Sequence, residues 1–190
     1  MSEADIIRKV RDILNEHGGD DDISIGTDRV LLEDYIKSAI PDAVVMLAQK
    51  GYAVNKKKVS VSDHGDERAG GEFISLIGAT SSEWNKEVTK LTAMDSPEFI
   101  MSRNPFTQPG PNSPIVWWDD LLGDLFAKPW TDGKSVTFTF NKKYIDGEGI
   151  TAETKEAAAV CYMAAAIVLG MFSDDQGKQR LSDIATNMLQ

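Results

Sequence analysis

The stretch that decides the fold is Thr151–Phe172, which reads TAETKEAAAVCYMAAAIVLGMF. From Ala157 onward it carries no charged residue, and a helix that is apolar all round has to be buried on every side. Its many alanines keep it thin, so that neighbouring helices can approach closely, and Ala, Leu and Met favour the helix intrinsically. Thr151 is the predicted N-cap, and Glu153 and Glu156 complement the helix dipole in the first turns. The stretch therefore predicts the central helix of a small helical bundle.

The same stretch bears on membranes and on redox chemistry. It is too short to cross a bilayer comfortably, since about 20 apolar residues are needed. The mixed charges of residues 1–14 predict no signal peptide. Cys161 is the only cysteine of the chain, so an intramolecular disulfide is excluded, and we interpret the thiol as a small buried hydrophobe. We therefore expect no membrane partner, and the single cysteine is compatible with a reducing, intracellular site of folding.

Two more helices are predicted before the middle of the chain. Apolar residues at helical spacing indicate one helix over residues 2–16, where Ser2 and Asp5 resemble a capping box. A second helix is predicted over residues 27–50 and is interrupted by Pro41, which either kinks the helix or opens its second half. The apolar stripe of each helix is interpreted as a core face.

A last helix is predicted over residues 175–189. Its apolar residues share one face: Leu181, Ile184, Ala185, Met188 and Leu189. Helices thus dominate residues 1–53 and 147–190, whereas the residues between them have the pattern of strands. Because helices and strands are kept apart along the chain, we predict an α+β fold in one domain: a helical bundle with an inserted antiparallel β segment.

The predicted insert spans residues 54–146. Its clearest strand is 136–140, where Val136, Phe138 and Phe140 alternate with polar residues. The other predicted strands are 59–61 paired as a hairpin with 73–77, a short strand at 87–91, and 115–118 paired with 124–127. A capped short helix is expected after Ser96, and the lysines at 56–58 are interpreted as a solvated loop.

A proline-rich segment interrupts the insert at residues 104–114. Its turn-forming residues are Pro105, Pro109, Gly110, Pro111 and Pro114. Such a sequence is excluded from a helix interior or a central strand, so we predict an extended arm or a long loop. Long ordered loops in compact domains usually carry a function or bind a partner, and we expect this arm to bind one.

The sequence offers little for catalysis. Its two histidines are His17 and His64, and neither lies in a known metal-binding or catalytic motif. Asp63, His64 and Asp66 could in principle hold a metal, but their spacing on a glycine-rich tip is weak evidence for a metal site and is more typical of a mobile loop. We therefore predict no enzymatic activity, no cofactor and no metal.

Paired carboxylates are the other candidates for chemistry. They occur as Asp119–Asp120 and Asp174–Asp175, in predicted turns. Adjacent acids in turns are usually solvated, so we assign them no catalytic role. The formal net charge of −10 argues against tight binding to nucleic-acid backbones, because that binding depends on Lys and Arg.

The tryptophans are more suggestive of an interface. All four lie in the insert, and the adjacent Trp117 and Trp118 should point to opposite faces of a strand, which would leave one of them exposed. An exposed tryptophan beside a proline-rich arm would be a good anchor for a partner. The full set of candidate interface residues is Trp84, Pro105, Phe106, Pro109, Pro111, Pro114, Trp118, Leu181, Met188 and Leu189.

Three phrases carry a family resemblance over most of the chain. They are DRVLLEDYIKSAIPDAVVMLA (28–48), SSEWNKEVTKLTAMDSPEFIMSRNPFTQPGPNSPIV (81–116) and ETKEAAAVCYMAAAIVLGMFSDDQGKQRLSDIATNML (153–189). Together they resemble the head–tail connector proteins of tailed bacteriophages, also called adaptor or ring proteins, including those of crAss-like phages. The resemblance lies in the order of elements and in these phrases, and it includes no catalytic signature.

The resemblance implies a structural virion protein at the portal vertex, made in the bacterial host cytoplasm. Such proteins assemble as a homo-oligomeric ring, commonly of about twelve copies, beneath the portal, where they retain the DNA and offer a surface to the tail. It implies that the bundle is the ring body, that the arm 104–114 reaches a neighbouring subunit or another ring protein, and that the C-terminal helix docks on the portal. Packaged DNA would pass an acidic channel without specific binding.

Two alternatives stay open at the level of sequence. One is a carbohydrate- or metal-binding accessory protein, in which the clustered tryptophans stack on a ligand near Asp63, His64 and Asp66. The other is a different virion component, such as a protein that decorates the capsid.

Overall fold

The structure, a computed structural model, describes residues 1–17, 29–62, 70–131 and 133–190. The chain divides into two compact units: unit 1 joins Met1–Lys56 to Lys143–Gln190, and unit 2 is Lys57–Lys142. Unit 1 is built of helices and unit 2 mostly of strands. The predicted α+β class, a helical bundle with an inserted antiparallel β segment, is therefore confirmed.

The elements of the described residues follow in chain order. The helices are α1 (Glu3–His17), α2 (Arg29–Gln49), α3 (Pro97–Ser102), α4 (Thr154–Met171) and α5 (Asp175–Asn187). The strands are β1 (Lys56–Val61), β2 (Phe73–Ser81), β3 (Ile115–Asp119), β4 (Asp124–Lys128) and β5 (Val136–Lys142).

Helix α4 is the centre of unit 1, as its uniform apolarity predicts. It packs against α1, α2 and α5. Small side chains allow this close approach from three directions, and the buried residues are Ala157, Ala158, Ala159, Val160, Cys161, Met163, Ala164, Ala165, Ala166, Val168 and Leu169. The helix supplies the core around which the bundle forms.

The predicted N-cap of α4 is wrong. The cap position belongs to Glu153, whose side chain makes no capping hydrogen bond within the described residues. Thr151 instead continues an extended segment: its N–H donates to Asn55 Oδ1 at 3.0 Å, and its carbonyl accepts from the Lys56 N–H at 2.7 Å. These long-range bonds fix the backbone of Thr151 outside the helix, so the helix begins later than its local sequence suggests.

Helices α1 and α2 follow the predicted pattern. The Asp5 N–H donates to Ser2 Oγ at 3.2 Å, which confirms the predicted cap of α1. Helix α2 contains Pro41 in its interior and continues through it, so the alternative of a split helix is wrong. Gly51 ends the segment with a φ of 92°, and its N–H donates to the Ala48 carbonyl. The predicted start of this helix at Thr27 lies outside the described residues.

The N-terminus is tied to the segment that precedes α4. The Met1 ammonium donates to the Ile150 carbonyl at 2.8 Å, and the Ile150 N–H donates back to the Met1 carbonyl at 3.0 Å. The Glu3 carboxylate accepts from the Tyr144 hydroxyl at 2.9 Å and also from the Gly147 N–H. These bonds join the first residues of unit 1 to the start of its second segment, which is far away in sequence.

The main sheet of unit 2 has the order β1-β5-β2. The predicted hairpin between residues 59–61 and 73–77 is therefore wrong, because β5 lies between these two strands. The strand β5 suits the centre, since Val136, Phe138 and Phe140 are all buried. The lysines at 56–58, predicted as a loop, belong to β1, and lysine-rich strands are typical of a sheet edge.

The remaining predicted elements of unit 2 mostly hold. Strands β3 and β4 form the predicted hairpin, with Ile115 opposite Lys128 and Asp119 opposite Asp124. The predicted strand at 87–91 is reduced to a single bridge between Ala79 and Val88. The short helix α3 is capped as predicted, because the Phe99 N–H donates to Ser96 Oγ.

Unit 2 has a hydrophobic core of its own. Its buried members come from β1, β2, β3, β4, β5 and the loop around Trp84: Val61, Ala79, Trp84, Val88, Val116, Leu125, Ala127, Val136, Phe138 and Phe140. Val59, Phe73, Leu76, Trp118 and Trp130 pack against this cluster while staying partly exposed. Each unit is thus stabilised by its own buried apolar side chains.

Candidate interaction surface

The chemistry-bearing side chains do not form a cluster in the described part of the chain. No group of three or more His, Cys, Asp or Glu side chains there is arranged to hold a metal ion. The proposed ligands Asp63, His64 and Asp66 lie outside the described residues. The metal-binding alternative therefore stays a prediction.

The two pairs of adjacent acids have structural explanations. The Asp119 carboxylate accepts from the N–H groups of Leu121 and Leu122 at 2.9 and 3.1 Å, which shapes a turn. The Asp174 carboxylate accepts from the Gly177 N–H at 2.8 Å, which caps α5. One acid of each pair thus satisfies backbone donors.

The thiol of Cys161 is buried completely within α4. Burial raises the pKa of the Cys161 thiol to about 11, so at neutral pH it is a poor nucleophile. The prediction that it acts as a small hydrophobe is consistent with this position.

We predict that Cys161 resists thiol reagents in the folded protein. At pH 8 the folded thiol is deprotonated in about one molecule in a thousand, so labelling should be at least ~100-fold slower than in denaturant. Labelling kinetics with a disulfide reagent measure this, and the native rate should keep rising with pH up to about 11. Native labelling as fast as that of the unfolded chain would contradict the burial of α4.

Helix α4 is also the one helix of the described residues that is long and apolar enough to span a membrane by length and composition. Its 18 residues have a mean hydropathy of 1.3, but 61% of them are buried inside the chain. The core helix of a bundle has the same properties, so the composition of α4 is weak support for a membrane span.

The tryptophans are packed more tightly than the sequence suggests. Trp84 is only 8% exposed, and its Nε1–H donates to the Pro129 carbonyl at 2.8 Å. Trp118 stacks on Phe73 with ring centroids 4.6 Å apart. Trp84 is thus a core residue that offers no surface to a partner.

Trp117 lies on the opposite face of β3 from Trp118, as predicted, but neither ring is fully exposed. Its ring stacks on Phe126 at 5.8 Å and meets Phe99 edge to face at 5.3 Å. Protein rings therefore already contact the two adjacent tryptophans, which leaves less ring surface for stacking on a sugar.

The other candidate interface residues fall into three groups. Pro114 and Leu181 are buried within the chain, so the prediction that they are interface residues is corrected, as it is for Trp84. The half-buried candidates are Pro109, Trp118, Met188 and Leu189. The exposed ones are Pro105, Phe106 and Pro111.

The proline-rich segment is a chain of turns and not an extended arm. Its second half is fixed within unit 2, because the Asn85 N–H donates to the Pro111 carbonyl at 2.9 Å and the Asn85 amide donates to Asn112 Oδ1 at 2.6 Å. The local hydrogen bonds of turns replace the strand or helix bonds that proline excludes. Only the first half of the segment can therefore extend to a partner, as predicted for the whole arm.

Phe106 stands at the exposed end of that first half. Its side chain is 95% exposed, although its backbone N–H donates to Asn104 Oδ1 at 3.0 Å. The next residue, Thr107, donates from its N–H to the Asn104 carbonyl at 3.0 Å and from its hydroxyl to the Met101 carbonyl at 2.7 Å. A large apolar ring is thus held in solvent by a turn with three hydrogen bonds.

Sequence reasoning missed a second exposed apolar feature, the tip of the β3–β4 hairpin. Leu121 is 96% exposed and Leu122 is 69% exposed. The turn is fixed by Asp119, whose carbonyl also accepts from the Gly123 N–H at 2.8 Å, and by the left-handed φ of 64° at Gly123. Two leucines inside an otherwise polar turn were the available signal. We call Leu121 and Leu122 the hairpin tip.

Unit 1 carries an open apolar groove between α2 and α4. Its volume is about 430 Å³, and it is lined by Asp42, Val45, Met46, Ile167, Gly170, Met171 and Lys178. Met46 and Met171 are both more than one-third exposed. We call this feature the α2–α4 groove.

A larger cleft of about 680 Å³ lies along α1, beside the start of α4. It is lined mainly by polar side chains: Met1, Asp5, Arg8, Lys9, Asp12, Ala152, Thr154 and Ala157. Arg8 and Asp5 form an exposed ion pair at 2.9 Å, so opposite charges there compensate each other. The described residues that line the cleft include no convergent set of like charges that would select a ligand.

The chain was also compared with known proteins. No protein-family model and no curated protein matches it.

Proposed function

We propose that this chain is a structural virion protein that forms a ring at the portal vertex, where it joins the phage head to the tail and helps to retain the DNA. The observation that carries the proposal is the pair of rigid turns in unit 2 that hold Phe106 and the hairpin tip in solvent. Large apolar side chains in fixed turns are typical of surfaces that bind other proteins.

Hydrogen bonds hold the backbone of both turns. A backbone that is already held in its bound conformation loses little conformational entropy on association, which leaves more of the contact energy for binding. Both turns use side-chain acceptors, Asn104 and Asp119, to hold the backbone. Such local hydrogen bonds stabilise the exposed conformation without a partner.

The charge of the chain supports a place next to packaged DNA. Its formal net charge is −10, and DNA carries a dense negative charge of its own. Repulsion between like charges lets DNA pass without adhering to the ring. The order of elements, with helices at both ends and a β insert, agrees with the resemblance to connector proteins.

The C-terminal helix α5 and the residues that follow it supply the proposed contact with the portal. Leu181 faces the bundle core, whereas Met188 and Leu189 at the end of the chain are only half buried. These two side chains can therefore still bury apolar area against a partner.

The role of the proline-rich turn can be measured with Phe106→Ser. We expect the melting temperature to stay within about 1 °C, because an exposed side chain contributes little to stability, while affinity for the portal or a neighbouring ring protein falls about 10- to 100-fold. Sizing chromatography of mixtures with the portal protein gives the affinity. Ile145→Ser is the matched control, since Ile145 is an exposed apolar residue of unit 1. Equal binding by both variants would remove Phe106 from the interface.

Immunogold electron microscopy of virions tests the proposed function itself. An antibody against this chain is expected to label the junction of head and tail, one cluster for each particle. Absence of the chain from purified virions, or label spread over the capsid surface, would contradict the proposal. The second pattern would favour a capsid-decorating protein.

A further inference from the structure

We infer that the hairpin tip of one copy docks in the α2–α4 groove of a second copy. The contact would be the subunit interface of the proposed ring, and to that extent the inference rests on the proposed function.

The hairpin tip has the form of a preorganised apolar knob. Asp119 binds the N–H groups of Leu121, Leu122 and Gly123 through its carboxylate and carbonyl oxygens. The backbone of both leucines is therefore held in one turn, and Leu121 buries almost none of its side-chain surface. A knob of this kind gains most from a matching apolar hole.

The charge around the tip selects a protein over a lipid surface. Asp119, Asp120 and Asp124 flank the two leucines. Anionic membrane surfaces attract polybasic segments and repel acidic ones, so insertion of this tip into such a bilayer is disfavoured. The tip needs an apolar site with a cation at its rim.

The α2–α4 groove has these properties. Val45, Met46, Ile167 and Met171 make its apolar lining, and methionines adapt their shape to an incoming side chain. A cavity of about 150 Å³ accommodates benzene, which has more carbon atoms than a leucine side chain. The groove volume of about 430 Å³ is thus sufficient for both leucines of the tip.

The rim of the groove sets the orientation of the docked tip. It carries one cation, Lys178, and one anion, Asp42. The stem of Lys178 crosses Gly170 so closely that a Cβ there would lie 2.9 Å from Lys178 Cδ. Lys178 has no ion-pair partner among the described residues. The acidic flank, with Asp120 exposed, therefore faces Lys178 and avoids Asp42.

Tip and groove are different surfaces, so a contact between two copies is head to tail. The pair then still offers one free groove, on the copy whose tip has docked, and one free tip, on the copy whose groove is filled. Repetition of such a contact gives a closed ring when the rotation closes, and an open filament when it does not. The two features are therefore sufficient for a cyclic assembly without any third surface.

Crosslinking between two single-cysteine variants tests the contact. Leu122→Cys protein is mixed with Met46→Cys protein and treated with a short bismaleimide, with and without the portal protein. The buried Cys161 does not compete under native conditions. We expect a crosslinked heterodimer from this mixture and at least tenfold less from the control mixture of Leu122→Cys with Asp12→Cys, because Asp12 lies in the cleft along α1.

A second measurement uses the double variant Leu121→Ser/Leu122→Ser. Self-association should weaken at least about hundredfold, because two leucines lose their buried site, while the melting temperature of the subunit stays unchanged. The matched control, Leu91→Ser/Met94→Ser, replaces two partly exposed apolar residues of the same unit and should associate normally.

The outcomes separate this inference from the proposed function. Rings that form without the tip–groove crosslink, or a chain that never self-associates, would overturn the inference. A specific crosslink from a chain that is absent from virions would support the inference and contradict the proposed function.

Discussion

Replacing Phe138 by alanine is expected to lower the free energy of unfolding by about 3–5 kcal/mol. Phe138 is fully buried in the central strand β5, where it lies opposite Ala79 and meets Trp130 edge to face at 6.4 Å. Truncation removes apolar contacts and leaves a cavity that small neighbours such as Ala79 are unable to fill. Denaturant unfolding followed by tryptophan fluorescence reports this loss, because all four tryptophans lie in unit 2.

Thr139→Ala is the matched control for this prediction. Thr139 is the next residue of the same strand, is half buried on the opposite face, and pairs with Gly78. Its replacement should cost about 1 kcal/mol or less, since only β-propensity and modest burial are lost. Similar costs for Thr139→Ala and Phe138→Ala would mean that β5 is not the centre of the unit 2 core.

The second large effect is expected for Gly149→Ala, at about 2–4 kcal/mol. Gly149 has a left-handed φ of 75°, and a Cβ there would lie 2.3 Å from the Met1 carbonyl oxygen and 3.0 Å from Ser2 Cα. The N-terminus would have to move, which breaks both hydrogen bonds between Met1 and Ile150. Thermal unfolding followed by helical circular dichroism measures the cost to unit 1.

Gly147→Ala separates backbone strain from collision. Gly147 has a similar φ of 84°, but a Cβ there meets no atom within 4 Å. This variant should therefore cost only the left-handed penalty of about 1–2 kcal/mol. If Gly147→Ala is as destabilising as Gly149→Ala, the close approach of the N-terminus is not what makes position 149 sensitive.

The elements that the sequence predicts best are those whose pattern depends on burial alone. The uncharged run that starts at Ala157 is buried at the bundle centre as far as Leu169, whereas Met171 and Phe172 at its end are exposed. The strict alternation of Val136, Phe138 and Phe140 likewise specifies a strand with one buried face. In both cases the local sequence carries the whole physical signal.

The predictions that failed depend on contacts between distant residues. Residues 59–61 and 73–77 look like neighbours along the chain, yet β5 lies between β1 and β2, and no local pattern encodes which strand occupies that place. Thr151 has the chemistry of an N-cap, but its backbone bonds to Asn55 and Lys56 decide its conformation. Non-local hydrogen bonds override local propensity at these positions.

The candidate surface was predictable in part. Phe106 lies in a proline-rich segment, and the sequence marks that segment as a loop with a free apolar side chain. Trp84 was misassigned because residue type alone does not distinguish a core tryptophan from an exposed one. The pattern that places the hairpin turn does not by itself show that Leu121 and Leu122 are exposed. An apolar residue in a predicted turn is a signal in itself.

The central claim is that this chain acts through contacts with other proteins. Light scattering coupled to sizing chromatography, on the chain alone over a range of concentrations and after mixing with the portal protein, tests it most directly. The account predicts that the chain forms a cyclic multimer. It also predicts that the complex with the portal has the mass of one whole ring bound to the portal assembly. A chain that has the mass of a single copy at every concentration and elutes apart from the portal would contradict it.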